Sequence, residues 1–232
     1  MIRTVVLAGE PEYEAHLSMQ AVAEDLERVL GHRVSFCVPD VIPDEPDFPI
    51  SRFAGLEALS DADLLVVFTR FRRLEDDQMQ RIIDYIERGA PVVGLRTSTH
   101  AFHYPGSPWA QWNEGFGRDV LGSPWVSHHG HSSTTTVKGL PGVHHPVLDG
   151  VDEEFSSPSW LYRVELEPWC VQVLWGDPIA PESPPQPGPV CWVRDDSVRK
   201  VVYTSLGHPG DFQIPSFRRL LVNAARWCTD GR

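Results

Sequence analysis

His128, His129 and His131 stand together in the tetrapeptide HHGH, and a lone Arg96 closes the apolar run PVVGL before the polar stretch TSTH. On an extended strand alternate residues face one side, so His129 and His131 share a face and could supply two nitrogen ligands to zinc or another divalent metal. A third ligand would have to come from His100, His208, Glu10 or an aspartate. Arg96 offers a planar fork of donors that suits a carboxylate, a phosphate or a developing oxyanion on a sugar. A buried Asp or Glu holding it as an ion pair is the competing reading.

His100 lies one helical turn beyond Arg96, so the two can face one crevice. His208 follows an apolar strand and precedes a Gly-rich turn, which makes it a candidate for acid–base work; a turn histidine bonded to backbone is the alternative. The first loop, GEPEYEAHLSM, brings Glu10 and Tyr13 toward the same place as possible ligand contacts. Trp109, Trp112 and Trp125 lie among Gly, Pro and Ser and would wall a pocket with aromatic faces, Trp125 being the candidate platform for a sugar ring.

These groups can meet only if the elements carrying them end on one edge. Thr4 to Ala8 reads as a buried strand ended by Gly9, and a helix is expected from about Ser18 to Gly31. Arg33 to Val38 is a second strand, Pro39 to Phe53 a Pro- and Asp-rich loop, and Asp63 to Thr69 a third strand. The unbroken apolar run in that third strand suits a parallel sheet covered on both faces. A helix with Glu75, Asp76 and Asp77 in its first turn and Met79, Ile82, Ile83 and Ile86 on one face leads to the strand that delivers Arg96. Alternation of this kind implies right-handed crossovers.

The second half changes texture. Trp109 to Leu121 reads as a short helix, Ser132 to Val137 as a β-prone run, and Tyr162–Leu166, Val171–Trp175 and Val190–Arg194 as later, antiparallel strands. The Pro-rich stretch GDPIAPESPPQPGPV is expected to be an extended loop. Pro215 to Trp227 closes the chain as a helix. No linker divides residues 1–232, so one α/β domain is expected.

Bulk properties limit the partners. The 232 residues carry a formal net charge of −12, with 41% hydrophobic and 22% charged residues. Such a charge repels phosphate backbones and anionic headgroups, which argues against nucleic acid and membrane surfaces and for a small-molecule ligand. Cys37, Cys170, Cys191 and Cys228 form no C-x-x-C pair and read as reduced, buried thiols. Without a leader-like N-terminus or an apolar run of about 18 residues, a cytoplasmic location is expected. Association into a homo-oligomer stays open.

The segment KVVYTSLGHPGDFQIPSFRRLLVNAARW resembles the C-terminal signature of the trehalose-utilisation, or ThuA-like, family, and FGRDVLGSPWVSHHG, HHPVLDGV and PVVGLRTSTHAF extend the likeness along the chain. Members resemble class I glutamine amidotransferases in fold, which implies a flavodoxin-like, mostly parallel central sheet flanked by helices. In an amidotransferase the turn after the strand presents a Cys nucleophile; Arg96 stands there and cannot act as one, so glutaminase chemistry is not implied. Many ThuA-like proteins have a histidine at this turn. Ser98 lacks the G-x-S-x-G context of a serine hydrolase. The resemblance implies action on, or binding of, a sugar or sugar derivative in trehalose- or disaccharide-type catabolism. The reaction would be hydrolysis, isomerisation or elimination on an oxidised glycoside, with His208, His129 and His100 as catalytic candidates. A catalytically silent amidotransferase-like domain that binds a metabolite or protein partner is the alternative.

Overall fold

In the computed structural model, which describes residues 1–40, 50–196 and 198–231, the first strand, β1, runs over Arg3–Gly9 and is buried from Thr4 onward. Helix α1 (Ala15–Leu30) follows, then β2 (Arg33–Cys37), β3 (Leu64–Thr69), helix α2 (Asp76–Glu87) and β4 (Val92–Leu95). The second half contributes a short helix α3 (Trp112–Gly115), strands β5 (Thr134–Gly139), β6 (Glu154–Ser157), β7 (Val171–Ile179), β8 (Gly188–Asp195) and β9 (Lys200–Thr204), and the closing helix α4 (Pro215–Thr229).

Nine strands join in one sheet of order β2-β1-β3-β4-β9-β8-β7-β5-β6. The first five in that order pair parallel. From β9 outward every pairing is antiparallel. The result is an α/β fold with a parallel centre and an antiparallel extension. One face of the sheet packs on α1 and α4 through residues such as Met19, Leu26, Phe217 and Leu221. The other packs on α2 through Met79, Ile82 and Ile86, and on the segment that follows α3 through Phe116 and Leu121. Asp25 of α1 ties the first pair of helices together, accepting from Arg218 of α4 at 2.7 Å and from Arg28 at 2.6 Å.

Several local expectations are corrected. Helix α1 begins at Ala15 rather than near Ser18; Glu14 enters it with φ 49°, and Ser18 instead donates to the Tyr13 carbonyl from inside the first turn. The Pro-rich stretch is not all loop. Strand β7 runs through Pro178 to Ile179, because Gly176–Ile179 finds partners on β5 that the local sequence does not reveal. Tyr162–Arg163 is only a two-residue strand outside the main sheet, paired antiparallel with Ser127–His128. Of the expected Pro39–Phe53 loop, residues 41–49 lie outside the described residues, and its ends meet in a bridge between Pro39 and Phe53. Among the described residues no helix is long and apolar enough to cross a membrane.

Because β1, β3, β4 and β9 are neighbours running one way, the loops after Gly9, Thr69, Leu95 and Thr204 emerge at one edge. In open α/β sheets this C-terminal edge is where ligand crevices form.

Candidate functional site

The loop after β1 turns tightly, and the Tyr13 N–H donates back to the Glu10 carboxyl. The other oxygen of Glu10 faces Arg70 Nε at 3.1 Å, and the same guanidinium reaches Glu12 at 2.8 Å. Arg70 comes from the loop after β3 and covers the Glu10 carboxyl, which has no accessible surface. Burial pushes that carboxyl up from 4.5 to about 7, against the pull of the Tyr13 N–H and Arg70. The expected role of Glu10 as an open ligand contact is therefore corrected: it is a proton-holding group beneath Arg70, and Glu12 is the exposed carboxylate of the pair.

That raised pKa has a measurable consequence. The folded protein keeps a proton on Glu10 that the unfolded chain releases above about pH 4.5, so this group's contribution to stability is fully present below that pH and is lost as pH rises to about 7. The integrated loss is about 3 kcal/mol. Glu10→Gln keeps an oxygen for the Tyr13 N–H and cannot ionise. Denaturant melts at pH 5 and pH 8 should show a decline about 2–3 kcal/mol smaller in the variant than in the parent. Equal declines would exclude Glu10 as the titrating group.

Arg96 follows β4 directly and opens a turn of 3-10 helix over Arg96–His100 with φ 42°, in the left-handed region. Its side chain is entirely buried. Nη1 donates to the carbonyls of Ser205 at 2.9 Å and Trp160 at 3.4 Å, and Nη2 donates to the Tyr13 hydroxyl at 3.1 Å. The guanidinium carbon sits 4.5 Å from the Tyr13 ring centre, 5.0 Å from Trp160 and 4.9 Å from Tyr162. Two expectations are thereby corrected. The Arg96 guanidinium is enclosed rather than open at the edge, and among the described residues it forms no ion pair with a carboxylate. It is a positioning residue that joins the β1 loop, the 158–163 segment and the turn after β9 from beneath. Ser98 is also structural, donating to Val67 O and accepting from Thr69 N–H with no exposed surface.

The imidazoles divide by their surroundings. Gly130, at φ 106°, turns the chain so that the ring of His131 packs 4.8 Å from His128 and 4.2 Å from Trp160. The alternation that would have grouped His131 with His129 fails there. His129 is buried, and its Nδ1 lies 3.1 Å from the Leu161 carbonyl; since a carbonyl only accepts, Nδ1 holds the proton and the unpartnered Nε2 does not. Among the described residues no group of three or more His, Cys, Asp and Glu gathers to hold a metal, so the His129–His131 zinc expectation is corrected. His100 is buried between the rings of Phe71 and Trp125, and burial, with Arg70 and Arg96 nearby, drives it down to about 3. It stays neutral through the physiological range.

His208 caps the 3-10 turn Pro209–Gln213, its Nδ1 accepting the Gly210 N–H at 3.1 Å. The fully buried Asp211 holds that turn. It accepts from the hydroxyls of Ser157 and Ser159, each at 2.6 Å, and from the N–H groups of Gly207 at 2.8 Å and His208 at 3.0 Å. Gly207, at φ 149°, sits where a Cβ would come within 3.2 Å of Arg96 Cβ, so the turn lies directly on the arginine.

Together these side chains form a continuous run along the edge. The His208 ring lies 6.3 Å from Tyr13, Tyr13 is 5.9 Å from Trp160, and Trp160 is 5.0 Å from His128. Glu12 and Arg70 flank Tyr13, and Phe71, His100 and the exposed Trp125 extend the wall. Glu10, Tyr13, Arg96, His100, Trp125 and His208 are thus gathered at one edge, while His129 turns inward. Trp109 and Trp112 pack on the core instead, Trp109 donating to Asp76 at 2.8 Å. Sequence reasoning missed Trp160, His128 as distinct from its neighbours, and Asp211. For Asp211 the signal was present, three residues after a capping histidine, as in a capping box. Chemically the edge offers aromatic faces, imidazoles, the exposed carboxylates of Glu12 and Glu182 and the Arg70 guanidinium, beside a buried carboxyl that burial lifts to about 7.

Compared with known families, the chain matches the one described as trehalose utilisation (ThuA) over residues 3–228. Among solved structures, a ThuA-like protein from Parabacteroides merdae ATCC 43184 superposes with a TM-score of 0.70 at 18% identity, covering 100% of this chain and 91% of the other. A second, from Bacteroides uniformis ATCC 8492, gives 0.68 at 16% identity, with 99% and 92% coverage. Agd3, described as a novel carbohydrate deacetylase, gives 0.57 at 12% identity, covering 100% of this chain and 33% of that one. At these identities the likeness is one of fold. No curated protein matches the chain.

Proposed function

We propose, from the premise that this chain belongs to the ThuA (trehalose utilisation) family, that its crevice binds a sugar derivative of disaccharide catabolism and acts on it without a thiol nucleophile. The observation that carries the reading is the Trp160 indole set between Tyr13 and His128, with the Glu12–Arg70 pair beside Tyr13. An aromatic face covers the C–H face of a pyranose while the carboxylate, guanidinium and imidazoles bond its oxygens. Glu10, lifted to about 7 by burial, is the group of this edge suited to hold an exchangeable proton near neutrality, with Arg70 standing between it and the ligand. Hydrolysis, isomerisation and elimination on an oxidised glycoside all need one proton carrier of this kind. The free thiols of Cys37, Cys170 and Cys191 fit a cytoplasmic setting.

Calorimetric titration and a turnover assay with trehalose and its 3-keto derivative test the reading. Binding is expected for at least one of them, and Trp160→Ala should weaken it about tenfold, on the scale of about 1.4 kcal/mol for a lost aromatic contact. No binding and no turnover with either sugar would overturn the proposal. Binding without turnover would assign the silent, metabolite-binding alternative.

A further inference from the structure

We propose that His128 and His208 are a matched pair of hydrogen-bond donors, each locked by its own backbone as the Nε2–H tautomer, and that they recognise acceptor oxygens of the ligand rather than accept its protons. The inference rests on the reading that the crevice takes a sugar derivative, and it changes the role of His208 from acid–base group to recognition group.

The lock is geometric. In each case the N–H two residues on donates to Nδ1: Gly130 to His128 at 3.0 Å, and Gly210 to His208 at 3.1 Å. A ring nitrogen that accepts an N–H carries no proton, so the neutral ring places its hydrogen on Nε2. Among the described residues neither Nε2 has a hydrogen-bond partner, and both rings are half-buried rather than enclosed, so both atoms open to solvent. Both turns are held in place. Gly130 adopts φ 106°, and Glu182 accepts from Ser132 N–H at 3.0 Å on the same turn. The His208 turn is built on Asp211, which accepts from the His208 N–H itself.

The two rings lie on either side of the Tyr13–Trp160 contact, His128 at 5.0 Å from Trp160 and His208 at 6.3 Å from Tyr13. Burial lowers the pKa of each, so both stay uncharged at neutral pH. Glu12, paired with Arg70, and the exposed Glu182 beside His128 carry the charge nearby, and the two uncharged N–H groups are left for acceptor oxygens of the ligand.

Other imidazoles in the same chain serve as internal standards. His145 accepts the Val147 N–H at 3.2 Å beside Trp227, so it should share the tautomer; His129, facing the Leu161 carbonyl, should show the opposite one. Long-range proton–nitrogen NMR of the ligand-free protein reads all four. The expected result is Nε2–H at His128, His145 and His208 and Nδ1–H at His129. Finding Nδ1–H, or a mixture, at His128 or His208 would overturn the proposal without reference to any sugar.

The ligand half is read from two substitutions titrated with 3-keto-trehalose. In His208→Asn the amide oxygen replaces Nδ1 as cap, but no atom remains at Nε2. That variant should melt with the parent and bind about tenfold more weakly. In His208→Gln the amide nitrogen can stand near Nε2, and affinity should recover to within about threefold of the parent. Unchanged affinity in the Asn variant, or equal loss in both, would overturn the donor role. A parent protein that binds neither sugar would overturn the proposed function and the ligand half with it, while the NMR result would still decide the tautomers.

Discussion

Arg96→Ala is expected to lower stability by about 3–5 kcal/mol, the range for removing a large, fully buried side chain that bridges several segments. The size of the effect follows from what the guanidinium touches. It satisfies the carbonyls of Ser205 and Trp160 and the hydroxyl of Tyr13, and three aromatic faces surround its charge. Truncation leaves a cavity and strands those oxygens. Opposing this is the relief of a buried cation that has no carboxylate partner, which keeps the estimate below the sum of its bonds. Thermal melts should fall by roughly 6–20 °C for a domain of this size. Arg96→Gly gives an independent check, since φ is 42° here and glycine accepts that conformation without a Cβ penalty of about 1 kcal/mol. The Gly variant should therefore be more stable than the Ala variant, the reverse of the order in an ordinary helix. An Ala variant as stable as the parent would mean that desolvation of the cation cancels all its contacts.

Asp211→Ala should have a comparable effect, about 3 kcal/mol, because removing the buried carboxylate leaves the hydroxyls of Ser157 and Ser159 without their acceptor and takes from the N–H groups of Gly207 and His208 their shorter bonds. Asp211→Asn is expected to help little. Ser159, Gly207 and His208 all donate to Oδ2, which the amide oxygen can replace, but the amide N–H then faces Ser157 Oγ, whose donated bond at 2.6 Å is lost, and the negative charge that strengthens the others is gone. Both variants should also weaken sugar binding, through loss of the His208 turn. Chemical denaturation measures the first effect and calorimetry the second. A stable Asp211→Ala protein with weakened binding would confine the network to the turn; unchanged stability and binding together would remove it from the account.

How far these groups were legible in the sequence depended on how local their causes are. The parallel half of the sheet was readable because Val5 to Ala8, Leu64 to Phe68 and Val92 to Leu95 carry no polar side chain, and the period of α2 places Met79, Ile82 and Ile86 on one side. Burial on both faces writes itself into consecutive residues. Gly31 likewise marked the end of α1, where its φ of 67° and its N–H to Glu27 O close the helix. The strand-like character of Gly176–Ile179 was hidden under prolines, since its pairing with Thr134–Val137 is made by a distant segment.

The site divides the same way. From sequence alone came the edge at which it forms and the presence there of Glu10, Tyr13, Arg96, His100, Trp125 and His208, because each follows a recognisable strand or sits in the loop it enters. Only the tertiary structure decided which of them face the crevice. Arg96 is enclosed by Trp160 and Ser205, 64 and 109 residues further along the chain, and no local pattern reports such neighbours. One glycine with φ 106° undid the alternation on which the His129–His131 pairing rested and brought His128 and His131 together against Trp160. Periodicity records the average environment of a segment, whereas the protonation of Glu10 and the tautomers of His128 and His208 depend on single donors and acceptors placed by distant segments or by one turn's φ, and these exist only once the chain has folded.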